Sequence, residues 1–551
     1  MLARCCVPDF RTDRGRARVL LTAGAVPALL AAITIGATSC TSAATTTARH
    51  VLPAPVRLMP RIRLPGSSTS VLTGPPDVVA EDVAQSLFAA APVIVVASPS
   101  SQADVAAARQ ALRAHAPLLL TAAQTGGSAP AGVATMTLRI TVRPASGSSA
   151  AGAGVVSAAL RTRIKALDPH VVLAVGVAAN VLAAQLPGIR VVTNPALLPA
   201  TKPPALLGHL ALLVHAGDTD AATLAAVTTA RVAGAQVIAV SGDDDPRADP
   251  AAIAALSAMR PQRVLAIGSG FGPASQLASR IAVAQTGVQL PGGGQVLFPA
   301  HLLVALYGHP GTPGLGVLGQ QGLQASIARA RRVAAAYRPL SRAKVIPAFE
   351  IIATVAQASP GRNGDYSYES PVASLRPWVR RAAAAGFYVI LDLQPGRASL
   401  LAQARKYQSL LELPDVGLAI DPEWKLAPGQ LPLHQIGSVS IGEVNSVVRW
   451  LAALTARYRL PQKLVVLHQF QLSMIRNERE LDTRHDDLAI LIHMDGQGTP
   501  ADKQQTWDAI TRAAPPRVFF GWKNFYVKDH PMLSPRQTID RTPQLSMISY
   551  Q

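Results

Sequence analysis

Two α/β regions in tandem are predicted, a Rossmann-like α/β repeat region followed by a C-terminal (β/α)8 TIM barrel. Three observations predict them. Short β-branched runs alternate with helical stretches over most of the chain. All five tryptophans and all nine tyrosines lie beyond residue 300, so the two halves differ too much in chemistry to share one core. Eight strand-like runs fit into roughly the last 250 residues, the length of one barrel. At 551 residues, with 49% hydrophobic and 15% charged residues, the chain has material for two cores and is not globally disordered.

Residues 1–39 read as an export leader. Arg4, Arg11, Arg14, Arg16 and Arg18 form a basic segment, Val19 to Ile35 is almost purely apolar, and Gly36-Ala37-Thr38-Ser39 places small residues before Cys40. That arrangement resembles the bacterial lipobox, which implies cleavage before Cys40 and lipidation of its thiol. Ala37 stands where the usual pattern has Leu, and an uncleaved membrane anchor is the alternative. Both place the remainder outside the membrane, at the extracytoplasmic face. The only other cysteines, Cys5 and Cys6, fall within the leader, so a mature chain has neither a disulfide framework nor a thiolate metal site.

The net charge of +19 calls for an anionic partner, and nucleic acid, phospholipid and an acidic wall polymer all satisfy it. Export removes nucleic acid. Residues 40–68 read as a tether: a Thr/Ala/Ser run, then Pro53, Pro55, Pro60 and Pro65 among Arg49, Arg57, Arg61 and Arg63, a composition that stiffens and extends a linker.

In residues 69–297, candidate strands Val93–Val96, Leu118–Leu120, Val171–Val175, Leu210–Val214, Val237–Val240 and Val264–Ile267 alternate with helices such as Gln102–Ala114 and Ala221–Ala233. Continuous apolar strands separated by helices indicate a parallel sheet covered on both faces. The strand-helix-strand rhythm, with "APLLLT" (116–121) and "VLAIGSGFG" (264–272), resembles the cell-wall-binding repeat 2 domains of exported Gram-positive proteins. The resemblance implies non-covalent attachment to anionic wall polymers and assigns no individual binding residue. The family's Phe-Pro-Asp-Ala-Leu-Ala signature is absent. Gly268-Ser269-Gly270-Phe271-Gly272 lacks the spacing of a dinucleotide fingerprint and reads as a tight turn. Asp243, Asp244, Asp245 and Asp249 read as a solvated loop in preference to a cation site.

In residues 298–551 the eight runs are Leu302–Tyr307, Val345–Ile352, Phe387–Leu393, Val416–Ile420, Leu464–His468, Leu488–Met494, Val518–Trp522 and Leu545–Ser549. A doubly wound open sheet is the competing architecture. Barrel active sites sit at the C-terminal ends of the strands. Those ends carry His309, Glu350, Asp392 with Gln394, Asp421 with Glu423 and Trp424, His468 with Gln469, Asp495, and Lys523 with Asn524. A polar end on nearly every strand is what a shared cavity requires.

The fourth run, Gly417-Leu418-Ala419-Ile420-Asp421-Pro422-Glu423-Trp424, alternates so that Gly417, Ala419, Asp421 and Glu423 share the inner face. Two acids held close raise one pKa and keep one group protonated, as acid-base catalysis needs. The Asp-x-Glu ending resembles the fourth strand of chitinase-like and lysozyme-like glycoside hydrolase barrels. The resemblance implies Glu423 as the acid protonating the glycosidic oxygen and Asp421 as a polarising partner, with Asp495 and Asp392 as further carboxylates of the catalytic site. The chitinase motif has another Asp where Ala419 stands, and Lys523 ends the seventh strand, where many retaining glycosidases place their nucleophile.

Trp424, Trp522 and Tyr526 offer flat faces to a pyranose, and Gln394, Asn524, Lys523, His468 and Glu350 complete the expected substrate contacts. Trp378, Trp450 and Trp507 fall in helices, as packing residues. The histidines lack close ligand spacing, so no metal and no cofactor is implied. "LDLQPG" (391–396), "AIDPEW" (419–424), "HMDGQG" (493–498) and "GWKNFY" (521–526) give the whole chain a resemblance to secreted lipoproteins that join a repeat-2-like wall region to a barrel of unassigned activity. Two functions follow: a glycoside hydrolase acting on an envelope polysaccharide, or a non-catalytic wall- or glycan-binding lipoprotein.

Overall fold

The computed structural model describes residues 57–99, 101–122 and 156–551, all within one compact unit. The leader, Cys40 and the first part of the tether lie outside the described residues. Among the described residues, no helix is long and apolar enough to cross a membrane.

The N-terminal region carries two separate four-stranded sheets, both wholly parallel. One orders Leu118–Leu120, Val93–Ala97, Val171–Val175 and Arg190–Val192; the other orders Thr69–Leu72, Arg263–Ile267, Leu210–His215 and Gln236–Val240. Helices Pro76–Leu87 and Ala221–Val232 supply Val79, Val83, Ala226 and Ala230 to a core that also takes side chains from both sheets. Thr229 accepts a hydrogen bond at 3.0 Å from the Leu118 amide, stitching a helix of one sheet to a strand of the other.

Two expectations fail here. The stretch 57–68 does not stand free: Arg61–Ile62 pairs antiparallel with Phe88–Ala90, and Arg263 donates to the Pro65 carbonyl at 3.1 Å. Nor are the four acids all solvated: Asp243 is exposed, but the other three are engaged. Asp244 pairs with His215 at 2.6 Å, Asp245 with Arg247 at 2.8 Å, and Asp249 caps helix Pro250–Met259.

The C-terminal region is a closed parallel barrel, which excludes the open sheet. Its strands are β1 (His301–Gly308), β2 (Lys344–Ala356), β3 (Tyr388–Leu393), β4 (Val416–Ile420), β5 (Lys463–Gln469), β6 (Leu488–Met494), β7 (Phe519–Asn524) and β8 (Leu545–Tyr550). Each pairs in parallel with its neighbours, and β8 closes on β1 through Leu303–Met547 to Leu306–Tyr550. The far end of β2 also pairs antiparallel with Ser367–Glu369.

Alternation sorts the side chains as the pleat dictates. Leu303, Ala305, Ile346, Ala348, Ile390, Ala419, Val466, Leu491 and Met547 fill the lumen, with Leu297 and Phe298 beneath them. Leu418, Ile420, Val465, Leu467 and Trp522 face the helices. Gly417 answers a close approach: a Cβ there would lie 2.7 Å from the Leu464 carbonyl and 3.0 Å from the Tyr388 hydroxyl. The barrel is tied to the N-terminal region by Asp486, which takes Arg247 at 2.7 Å and Arg280 at 2.8 Å.

Candidate active site

At the C-terminal ends of the strands the lumen turns polar and opens into a cup of about 740 Å³. Tyr307, Gln394, Asp421, Glu423, Trp424, Asp495 and Lys523 are among the residues that line it. Asp421 continues β4 by one residue and is buried. Glu423 reaches the cup by another route than strand alternation, because Pro422–Trp424 forms a 3-10 turn. That turn is braced at its back: the Gly437 amide donates to the Glu423 carbonyl at 2.7 Å, and a Cβ on Gly437 would lie 2.5 Å from the same oxygen.

A buried ion cluster runs from beneath the cup into its wall. His468 on β5 donates from Nε2 to Glu350 on β2 at 2.8 Å, and its Nδ1 lies 3.2 Å from Asp495, close enough for an ion pair but not aligned as a hydrogen bond. Lys523 Nζ stands 3.9 Å from the same Asp495 oxygen and 3.5 Å over the Tyr307 ring. Tyr307 donates to Asp392 at 2.8 Å and accepts from Gln394 at 3.2 Å.

These neighbours split the carboxylates into two kinds. Burial, then repulsion from Asp495, pushes Glu423 up to about 7. Burial likewise raises Asp392 to about 6, and raises Asp421 well above the usual range with Glu423 as the next cause. Burial alone would raise Asp495 too, but the His468 contact and charge and then Lys523 bring it below its ordinary value. Burial opposes charge on His468, yet Glu350 and Asp495 hold it well above 6.5. His493, buried next to that charge, is driven well below 6.5.

Several buried polar atoms have no hydrogen-bond partner among the described residues: Glu350 Oε2, Asp392 Oδ1, Asp421 Oδ1, Asp495 Oδ1, both nitrogens of His493, Ser549 Oγ and Trp424 Nε1. Also among the described residues, no group of three or more His, Cys, Asp or Glu side chains is arranged to hold a metal ion.

Of the residues the sequence proposes, Asp421, Glu423, Asp495, Trp424, Lys523 and Gln394 line the cup, and Asp392 lies in its wall behind Tyr307. Glu350 and His468 are wholly buried below the floor, so they hold Asp495 and do not face a ligand. Trp522 and Asn524 point the other way. Both are fully buried on the helix side, Trp522 donating to Asn524 at 3.0 Å and Asn524 to Thr538 at 3.2 Å. Tyr526 lies outside the cup, its ring 5.5 Å from Tyr550 and under Arg329.

Tyr307 was missed. The pattern of polar strand ends points to His309, but parity with Leu303 and Ala305 puts Tyr307 in the lumen, and His309, past the end of β1 at Gly308, does not line the cup.

No protein-family model matches the chain, and no curated protein matches it. Among solved structures, Cwp6 from Clostridium difficile aligns at 10% identity and a TM-score of 0.17, covering 73% of this chain. The chain spans 63% of that protein's length. A likeness that slight establishes neither fold nor function.

Proposed function

We propose that the barrel is a glycoside hydrolase acting on a cell-envelope polysaccharide, with Glu423 as general acid and Asp495 as the ionised carboxylate that serves as base or nucleophile. The observation that carries this reading is the divergence of two acids lining one cup. Glu423 is raised to about 7 and keeps a proton near neutrality, while His468 and Lys523 hold Asp495 ionised. Opposite protonation states on neighbouring carboxylates are the requirement of glycosidic cleavage. Burial and then Glu423 raise Asp421, which keeps it from competing as the ionised group, and Tyr307 fixes Asp392. Half-buried Trp424 offers an aromatic face within the cup, suited to a sugar ring.

The setting proposed with it is the cell surface: a lipid on Cys40 in the membrane, the N-terminal parallel sheets as Rossmann-like wall-binding repeats, and an anionic wall polymer as their partner. The chain's strong positive charge supports that partner.

The test is release of reducing ends from purified wall polysaccharides by the full chain. Glu423→Gln, isosteric and unable to donate a proton, should lower the rate by about 10²–10⁴-fold with the fold intact. Asp495→Asn should be equally damaging. Saturable binding of wall material with no sugar released by the unsubstituted chain would leave the barrel as a binding module, the role to which Lys523 at the end of β7 is best suited.

A further inference from the structure

A second cavity of about 710 Å³ opens on the other side of the loop that follows β1, against helix Val372–Ala384. We propose that it binds an uncharged segment of a glycan chain, as a subsite separate from the cup. Its wall is the first argument. In a chain with 51 Lys and Arg and 32 Asp and Glu, no such residue lines this cavity among the described residues. Its one titratable imidazole, His309, is kept neutral because burial lowers its pKa, and both ring nitrogens are engaged, by Thr312 at 2.9 Å and Ser370 at 3.1 Å.

An anionic ligand would shed its hydration here without meeting a counter-charge, which costs far more than burying a neutral hydroxyl. The surfaces on offer are aromatic and neutral. Tyr368 is 46% exposed and Trp378 half-buried, both on the wall, with the hydroxyls of Ser370 and Ser374 between them in sequence. Flat apolar faces interleaved with neutral hydrogen-bonding groups match a pyranose, which presents C–H faces and a rim of hydroxyls.

Continuity with the cup is the second argument. Gly314 and Leu315 of the β1 loop line the cup, while Pro310 and Gly311 of the same loop line the second cavity. At the end of β2, Ala356 lines the cup and the preceding Val355 pairs with Tyr368. One loop and one strand pair are thus shared walls, and a polymer leaving the cup over them meets Tyr368 next. The inference rests on the carbohydrate reading of the cup only for the polymer that joins the two cavities.

The experiment uses the full chain carrying Glu423→Gln, titrated calorimetrically with neutral hexasaccharides of glucose, mannose and N-acetylglucosamine and with polygalacturonate as the anionic probe. At least one neutral hexasaccharide should bind. Tyr368→Ala should weaken it about five- to tenfold, and Ser374→Arg, which places bulk and charge in the cavity, should weaken it at least as much. Binding of polygalacturonate alone, binding of none of the probes, or neutral binding indifferent to both substitutions would overturn the proposal. The cup reading fails separately, as absence of turnover in the chain that retains Glu423. With turnover present, Tyr368→Ala should raise KM on polymer and leave kcat unchanged.

Discussion

The two ends of the barrel are made by the same eight strands and treat buried polar groups in opposite ways. At the N-terminal end they are paired. Lys463 Nζ, fully buried, donates to the Leu413 and Val416 carbonyls at 2.7 and 2.8 Å; His301 Nδ1 lies 2.7 Å from the Leu297 carbonyl; the Tyr388 hydroxyl accepts from the Leu464 amide at 3.0 Å. At the C-terminal end, acids crowd one another, and atoms of Glu350, Asp392, Asp421, Asp495 and His493 have no partner among the described residues. Each such atom costs about 1–3 kcal/mol. A fold that pairs most of its buried polar groups at one end, Gln295 Oε1 excepted, and leaves a cluster of them unpaired at the other has its stability invested at the first and its chemistry at the second.

The largest effect should come from His468, the cation in contact with both Glu350 and Asp495. His468→Gln leaves Glu350 buried without its counter-charge and should destabilise the protein by about 3–5 kcal/mol, read from denaturant midpoints. Replacing Glu350 by Gln in the same chain should recover much of that loss. Asp495 also loses the contact that lowers its pKa, so the acidic limb of the pH–rate profile should move to higher pH. An acidic limb that stays in place would show that Asp495 does not supply the ionised carboxylate.

Next in size is a contrast in pH dependence between the two ends. Glu423 and Asp392 titrate near 7 and 6 when folded, above the 4.5 and 3.8 of the free groups, so the folded chain holds more protons in that interval. Stability from the C-terminal end is therefore fully present below about pH 4 and is lost as pH rises to about 7. Lys463 behaves oppositely. Burial lowers it from 10.5 to about 7, the unfolded chain holds the extra proton, and stability rises from pH 7 toward 10. Melting temperature against pH should thus have a shallower falling arm in Glu423→Gln, with the Asp392 part remaining, and should lose its rising arm in Lys463→Met, each by a few degrees. If one substitution flattens both arms, the ends are not independent.

Legibility in the sequence divides along a similar line. Every barrel strand was readable because a strand buried on both faces needs an unbroken apolar run, and the turn to polar residues marks its C-terminal end. The acids of the cup were readable for the same reason. Misplaced features follow from what happens after a strand stops. Glu423 arrives by a 3-10 turn braced by Gly437, fourteen positions downstream, which no periodicity announces. His309 is polar but lies past the end of β1 at Gly308, and the last lumen residue of that strand is the aromatic Tyr307, which a pattern of polar strand ends does not mark. Pairing of Arg61–Ile62 with Phe88–Ala90 was hidden by the prolines and arginines that make the stretch look like a linker.

The smallest effect is predicted where alternation was available and was not applied. Lys523 faces the cup, so its neighbours Trp522 and Asn524 must face the helices, where both are in fact buried and bonded to each other. Trp522 packs on Trp507 at 5.8 Å between ring centroids and lies 5.1 Å from the Lys503 ammonium. Trp522→Phe should leave saccharide affinity and KM unchanged while lowering the melting temperature slightly, through the lost bond to Asn524 and reduced ring area. Trp424→Phe, on the wall of the cup, keeps an aromatic face and should raise KM by a small factor, with stability unaffected. If instead Trp522→Phe changed KM and Trp424→Phe did not, parity along β7 would be reversed, and Lys523 would be withdrawn from the cup along with the contact that helps keep Asp495 ionised.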